Sequence, residues 1–353
     1  MRRPSSGMKR FVLRCLLAMS PVLAVVALYV IKDPFHVVKP YRGKIYNPGD
    51  TISLTVNWGI VSVESFKYFY PQYHFDSFIF GSSLSGYYRI SDWQRHLPSG
   101  ARPFHFNANR ETLQGILNKL NYLTRQGVTI NNALLVIEDE MLQRRPLDKD
   151  ALYIQHPQTT TDVSWWQFHQ LFFNTFRRPA IIAYTIWPQT MTRYVLEHRY
   201  ATSEIINRDE RINEGTYHWA DSVIEINPDL FYTPEHMTRY TRHPRLEPCP
   251  PKVTREVESL LRTISDVLNK QGTNYQVIIP PHYRYEAICD NDLYMMKEIF
   301  GADRVHDFSH NQRLASDLHY YYDSGHLIAR ECAALMDSAY SSMPLQSPYT
   351  RHD

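Results

Sequence analysis

The stretch FDSFIFGSSLSGYY, residues 75–88, decides the fold. Phe75 to Phe80 is a short apolar run of strand type, and Gly81 with the serines after it breaks the run as a strand-to-helix turn would. A small-residue turn at the end of a strand is also what a nucleophilic serine needs. It leaves the Oγ exposed on a rigid support with a backbone N–H beside it. Taken alone, Gly-Ser-Ser after an apolar run is more often a plain loop.

Downstream, strand and helix signals alternate. Glu111 to Gln126 carries Leu113, Ile116, Leu117, Leu120 and Leu123 on one face, with Gly127 as its stop. Ala133 to Ile137 reads as a buried strand. Val253, Val257, Leu261, Ile264 and Leu268 mark an amphipathic helix closed by Gly272. A strand over Tyr275–Ile279 ends at Pro280-Pro281. A helix near Leu293–Phe300, a strand near Arg304–Phe308 and a last helix after His326 follow. Such alternation predicts an α/β fold with a parallel sheet. The aromatic-rich middle, about 150–245, contains WWQFHQLFF and a helix around Ile181–Leu196, and reads as a helical insertion.

Upstream, residues 33–60 are punctuated by Pro34, Pro40, Pro48 and Gly49. Before them Cys15–Ile31 is an uncharged, largely apolar run at the short end of what spans a bilayer. Phe11–Leu13 extend it, with Arg14 able to snorkel. The basic flank predicts an N-terminus held in the cytoplasm and a domain outside it. A cleaved signal peptide is the competing reading, but the apolar run is long for one and no A-x-A site follows it. The expected organisation is a cytoplasmic tail over 1–10, a transmembrane anchor over 11–31, a stalk and entry segment over 32–70, a main domain over 71–345 and a tail over 346–353.

The chain has 353 residues, 43% hydrophobic and 21% charged, enough for a sizeable core. Its net charge of +2 is uneven. Setting aside Arg2, Arg3, Lys9, Arg10, Arg14 and Lys32 leaves 32 basic against 36 acidic residues, so the remainder has no nucleic-acid footprint. Of the four cysteines, Cys15 lies in the apolar run; Cys249, Cys289 and Cys332 allow one disulfide without choosing the pair. No CxxC or HExxH occurs. His306 and His310 flank a strand end rather than a helix, so no metal and no cofactor are expected.

The second chemical motif is YYYDSGHL, 320–327. Asp323 and His326, three residues apart, place a carboxylate and an imidazole where both could serve one nucleophile. A capping aspartate beside an incidental surface histidine is the bland account.

In the order DSFIFGSSLS (76–85), PFHFNANRETLQGI (103–116), VIIPPH (277–282), VHDFSH (305–310) and YYYDSGHL (320–327), the chain resembles the SGNH (GDSL-like) hydrolase superfamily. Within it, the chain is most similar to the membrane-anchored branch with the DltD-type and alginate-acetylation-type proteins. The resemblance leaves the middle insertion unmatched. It implies a three-layer parallel α/β fold with a helical insertion, preceded by the transmembrane helix. It places the nucleophile on Ser83, since GSS stands for GDS, with Asp323 and His326 completing a triad. It puts a backbone oxyanion donor at Leu84. The family's usual second-block glycine and third-block asparagine have no clear counterpart; Asn107 and Asn109 are the candidates to assist. Arg110 is a candidate anion contact, weighed against a solvated helix start. Glu138, Asp139 and Glu140 occupy a loop that is often polar in this superfamily.

The implied function is a serine esterase or O-acyltransferase acting through an acyl-enzyme on a cell-envelope glycan or polymer. The partners are membrane lipid and a membrane acyltransferase. The alternative, favoured by the missing glycine and asparagine, is a non-catalytic factor of the same fold that binds glycan or docks on such an acyltransferase.

Overall fold

The computed structural model describes residues 6–46, 53–143, 148–188, 200–202, 207–216, 218–240, 250–283 and 287–341. The chain divides into two compact units. One comprises Met1–Val56, Asp150–Leu152 and Ser164–Ile205; the other comprises Asn57–Lys149, Tyr153–Val163 and Ile206–Asp353. The expected insertion, 150–245, is thus shared between them.

The first unit begins with helix α1, Ser6–Lys32. It stops at Asp33, whose φ of 45° is left-handed and whose carboxylate accepts the amides of Val37, Val38 and Lys39, turning the chain sharply. What the fold carries of the expected span over 11–31 is the helix itself. Among the described residues no helix is long and apolar enough to cross a membrane. The uncharged run between Arg14 and Lys32 amounts to roughly 25 Å of helix at 1.5 Å per residue, against a hydrocarbon core of about 30 Å. The same unit holds helices Trp165–Phe176 and Pro179–Ile186, and a short antiparallel pair of Ser53–Leu54 with Ala201–Thr202. The helix expected around Ile181–Leu196 begins earlier, at Pro179, where proline suits a first helical turn. Its expected second half lies outside the described residues.

The second unit is built on a five-stranded sheet: β1 Ser77–Phe80, β2 Pro103–His105, β3 Asn132–Val136, β4 Asn274–Ile279 and β5 Val305–Asp307. Every pairing is parallel and the spatial order is β2-β1-β3-β4-β5. Parallel strands are covered on both faces, so they read as continuous apolar runs. Strand side chains alternate between two cores. Phe78, Phe80, Ala133, Leu135, Val277 and Ile279 join one core with helices α2 (Trp58–Tyr73), α3 (Leu113–Arg125), α4 (Arg255–Lys270) and α5 (Asp290–Phe300). Ile79, Leu134, Val136 and Ile278 join the other with α6 (Ala329–Ser341). The result is helix, sheet, helix: a three-layer α/β arrangement.

Two elements depart from the sequence reading. Helix α2 occupies most of the second half of the expected 32–70 stalk, and its Val63 and Phe66 lie in the first core. Its run WGIVSVESFKYFYPQY puts Ser62 and Ser65 on the buried side beside Val63 and Phe66, so no amphipathic period stood out. Strand β2 is only three residues long and begins with proline, which suits an edge strand. The remainder of the expected insertion contributes a hairpin, Asn207–Asp209 with Glu214–Thr216, and helices His218–Ile226 and Pro234–Tyr240.

Candidate active site

The strand order reverses between β1 and β3, β2 being added on one side and β3, β4 and β5 on the other, and ligands bind such sheets in the crevice beyond the strand C-termini at that switch point. Gly81 leaves β1 there. A Cβ on it would lie 2.7 Å from Ser85 Cβ and 2.9 Å from Val136 O, so only glycine lets the turn pack this closely on β3. Ser83–Tyr87 then forms a 3-10 turn. Its N-cap, Ser82, accepts the Leu84 N–H through Oγ at 3.2 Å, and Ser85 Oγ donates to Ser82 O at 2.7 Å.

The second half of the site comes from the loop before α6. A bridge between Tyr321 and Leu327 closes it. Inside, Asp323 Oδ1 accepts the amides of Gly325 at 2.8 Å and His326 at 2.9 Å, the local turn that short acidic side chains favour. Asp323 Oδ2 lies 2.8 Å from His326 Nδ1, and His326 Nε2 lies 3.0 Å from Ser83 Oγ. The structure therefore brings Ser83, His326 and Asp323 into one hydrogen-bonded chain.

Burial pushes the Asp323 carboxyl up, but the hydrogen bond and charge of His326 and the two amides outweigh it and hold it at about 2. An ionised carboxylate only accepts, so Nδ1 must carry the proton. In the neutral ring Nε2 then offers its lone pair to the serine hydroxyl. Tyr87 packs against His326 with ring centroids 5.3 Å apart and against Tyr322 at 4.8 Å, fixing the imidazole from the side.

The expected oxyanion donors fare unevenly. The Leu84 N–H is already engaged by Ser82 Oγ. As the first residue of a helical turn, Ser83 has no acceptor for its own N–H within that turn, which makes it a donor the sequence reading missed. Asn107 follows β2 and its Nδ2 lies near Gly86 of the nucleophile turn: a Cβ on Gly86 would be 3.7 Å from it. Asn109 lines a separate cavity of about 410 Å³ with Tyr153 and His156. That cavity shares Arg110, Glu111 and Thr112 with a smaller one, about 140 Å³, lined by Ser83, Leu84, Glu138, Glu140 and Met141. Arg110 stands between the two, paired with Asp148 at 3.2 Å and stacked over Tyr153.

Of the acidic loop after β3, Asp139 pairs with Lys252. Glu140 faces the small cavity. Glu138 sits behind the nucleophile turn, 3.6 Å from His282 Nε2. Burial raises the Glu138 carboxyl, yet His282 and the Ser82 hydroxyl hold it below its ordinary value. His282 in turn abuts Gly325, where a Cβ would be 3.5 Å from its Cε1. Glu138 and His282 thus back both halves of the site. The available signal for His282 was its place just past the C-terminal end of a buried strand, in VIIPPH.

His306 contacts Gln276 at 2.6 Å, while His310 contacts Asp307 at 2.5 Å and lies 4.0 Å from Asp290. Among the described residues no group of three His, Cys, Asp or Glu is placed to hold a metal ion. Cys289 and Cys332 are buried free thiols and Cys15 is an exposed one; Cys249 lies outside the described residues. No protein-family model matches the chain, and no characterised protein matches it in sequence.

Proposed function

We propose that the chain is a serine acyl-transfer enzyme of the SGNH type, an esterase or O-acyltransferase working on a cell-envelope glycan or polymer. The observation that carries this reading is the unbroken chain from Ser83 Oγ through the His326 ring to Asp323, at 3.0 and 2.8 Å. His326 takes the Ser83 proton at Nε2 as Oγ attacks an ester carbonyl. Asp323 stabilises the imidazolium, which then protonates the leaving alkoxide. Water or a sugar hydroxyl, deprotonated by the same nitrogen, receives the acyl group from Ser83. The Ser83 N–H, with the Asn107 amide close by, is the donor set for the oxyanion. A cavity of about 140 Å³ is well below the roughly 300–1,000 Å³ of pockets for larger ligands, which favours a short acyl group.

The proposed setting is a membrane surface, with α1 as anchor, a cytoplasmic N-terminus and the catalytic unit outside. Supporting it, Phe11, Leu13, Leu17, Val22, Leu23 and Ile31 are all exposed along α1, an apolar surface that water does not favour. A membrane acyltransferase is the proposed partner on the transferase reading.

One observation favours the non-catalytic alternative: the Leu84 N–H is spent on Ser82. Hydrolysis of p-nitrophenyl acetate by the detergent-solubilised full chain separates the two. The enzyme reading expects turnover that falls on the order of 10³-fold or more in Ser83→Ala. A folded wild-type chain with no turnover would favour the binding factor.

A further inference from the structure

We infer that helix Trp165–Phe176 and the helix that follows it, Pro179–Ile186, form a second membrane contact, lying in the water–lipid interface with Trp165, Trp166 and Trp187 among the headgroups. The inference rests on the proposal that α1 is embedded in a bilayer.

α1 and these two helices lie within one compact unit. Tyr29, in the last turn of α1, packs on Phe173 and Phe176 with ring centroids 5.5 and 5.2 Å apart. Phe35, just past the sharp stop at Asp33, packs on Phe172 at 5.4 Å. These contacts bracket Lys32, where the apolar run of α1 ends. The helix Trp165–Phe176 is therefore pinned at the level where α1 leaves the lipid.

Composition agrees. WWQFHQLFFNTF and PAIIAYTI contain no Asp, Glu, Lys or Arg, whereas a helix facing bulk water normally carries a charged face. Phe168, Phe172 and Phe176 fill the buried side. The outward side begins with Trp165 and Trp166, 66% and 69% exposed, and the second helix ends on Trp187, 59% exposed. Indole rings this exposed cost apolar hydration in water but suit the headgroup region, where an apolar body and an N–H are both accommodated. Arg177 and Arg178 are exposed at the junction of the two helices, as are Lys32 at the end of α1 and Arg42 and Lys44 after it. A basic rim of this kind favours anionic headgroups.

The test uses the full chain reconstituted in phosphatidylcholine–phosphatidylglycerol vesicles, with lipids brominated either near the headgroup end or near the acyl terminus. Three of the six tryptophans are assigned to the interface, so shallow bromines are expected to quench up to about half of the emission, and deep bromines less. The variant Trp165→Phe/Trp166→Phe/Trp187→Phe should lose most of that quenching. Its circular dichroism should match the wild type. Equal quenching of wild type and variant, in a chain that still floats with the vesicles, would overturn the inference and leave the α1 anchor standing. A chain that does not float would overturn both.

Discussion

Ser83 Oγ lies 3.0 Å from His326 Nε2 although 243 residues separate them in sequence. The sheet explains the meeting. Ser83 is delivered by a central strand, β1, and His326 by the loop entering α6. Leu327 and Leu335 of that segment share a core with Ile79 of β1 and Val136 of β3. Packing of the last helix therefore sets the distance between base and nucleophile.

That linkage makes the site sensitive to the first glycine of the turn. Gly81→Ala puts a Cβ 2.7 Å from Ser85 and 2.9 Å from the Val136 carbonyl. Overpacking of this kind costs about 1–3 kcal/mol, and relief requires the turn to lift off β3, carrying Ser83 with it. The expected outcome is a lower Tm together with esterase activity reduced by far more than the fold is destabilised. Full activity in the alanine variant would show that the turn has room.

Asp323 gives a pH signature in stability. Its folded pKa, about 2, lies below the ordinary value of 3.8. A depressed carboxyl stabilises the fold above its unfolded pKa, and that stabilisation is lost as pH falls through the folded value. The contribution should therefore be complete above about pH 4 and gone near pH 2. Because Asp323 is about a third exposed, screening brings it to about 1–2 kcal/mol. Denaturant melts of wild type should lose this amount over that window, and Asp323→Asn should not.

The small cavity at Ser83 makes a claim about substrate. With Glu138 and Glu140 on its wall and about 140 Å³ of space, it should accept acetyl in preference to octanoyl, and neutral acyl groups in preference to succinyl. Relative kcat/KM values for the corresponding nitrophenyl esters measure this. Equal rates for acetyl and octanoyl would remove the cavity as the acyl site.

On the wall of that cavity, Glu138 is held by His282 and Ser82. Glu138→Ala leaves both partners short, at a cost of about 1–3 kcal/mol. It should also slow acylation of Ser83, because Ser82 caps the turn that Ser83 begins. Glu138→Gln, which keeps the hydrogen-bonding shape, should recover most of the stability. A Glu138→Ala variant with wild-type Tm and rate would assign this residue to neither role.

Much of this was legible in the residues, for identifiable reasons. The strands Ser77–Phe80, Asn132–Val136 and Asn274–Ile279 are continuous apolar runs because both faces are covered, and helices such as Leu113–Arg125 and Arg255–Lys270 show a clear amphipathic stripe. The Gly-Ser-Ser turn and the Asp323–His326 spacing were each visible as weak signals, and it was the resemblance to the SGNH superfamily that singled out Ser83 and joined the three. Helix Trp58–Tyr73 was hidden because Ser62 and Ser65 on its buried side blur the apolar stripe, and edge strand Pro103–His105 by its length. Glu138 could be named, but His282 was only the last residue of VIIPPH and the two could not be joined, since their contact depends on how far β4 carries His282 beside β3. The capture of the Leu84 N–H by Ser82 depends on one rotamer, which spacing does not encode.

The most direct measurement of the central claim is reaction of the full chain with a fluorophosphonate, followed by mass mapping of the modified peptide. The account expects one adduct, on Ser83, formed in wild type and Ser82→Ala, absent in Ser83→Ala and strongly slowed in His326→Ala. No adduct on a folded wild-type chain, or an adduct on Ser82 or Ser85, would contradict it.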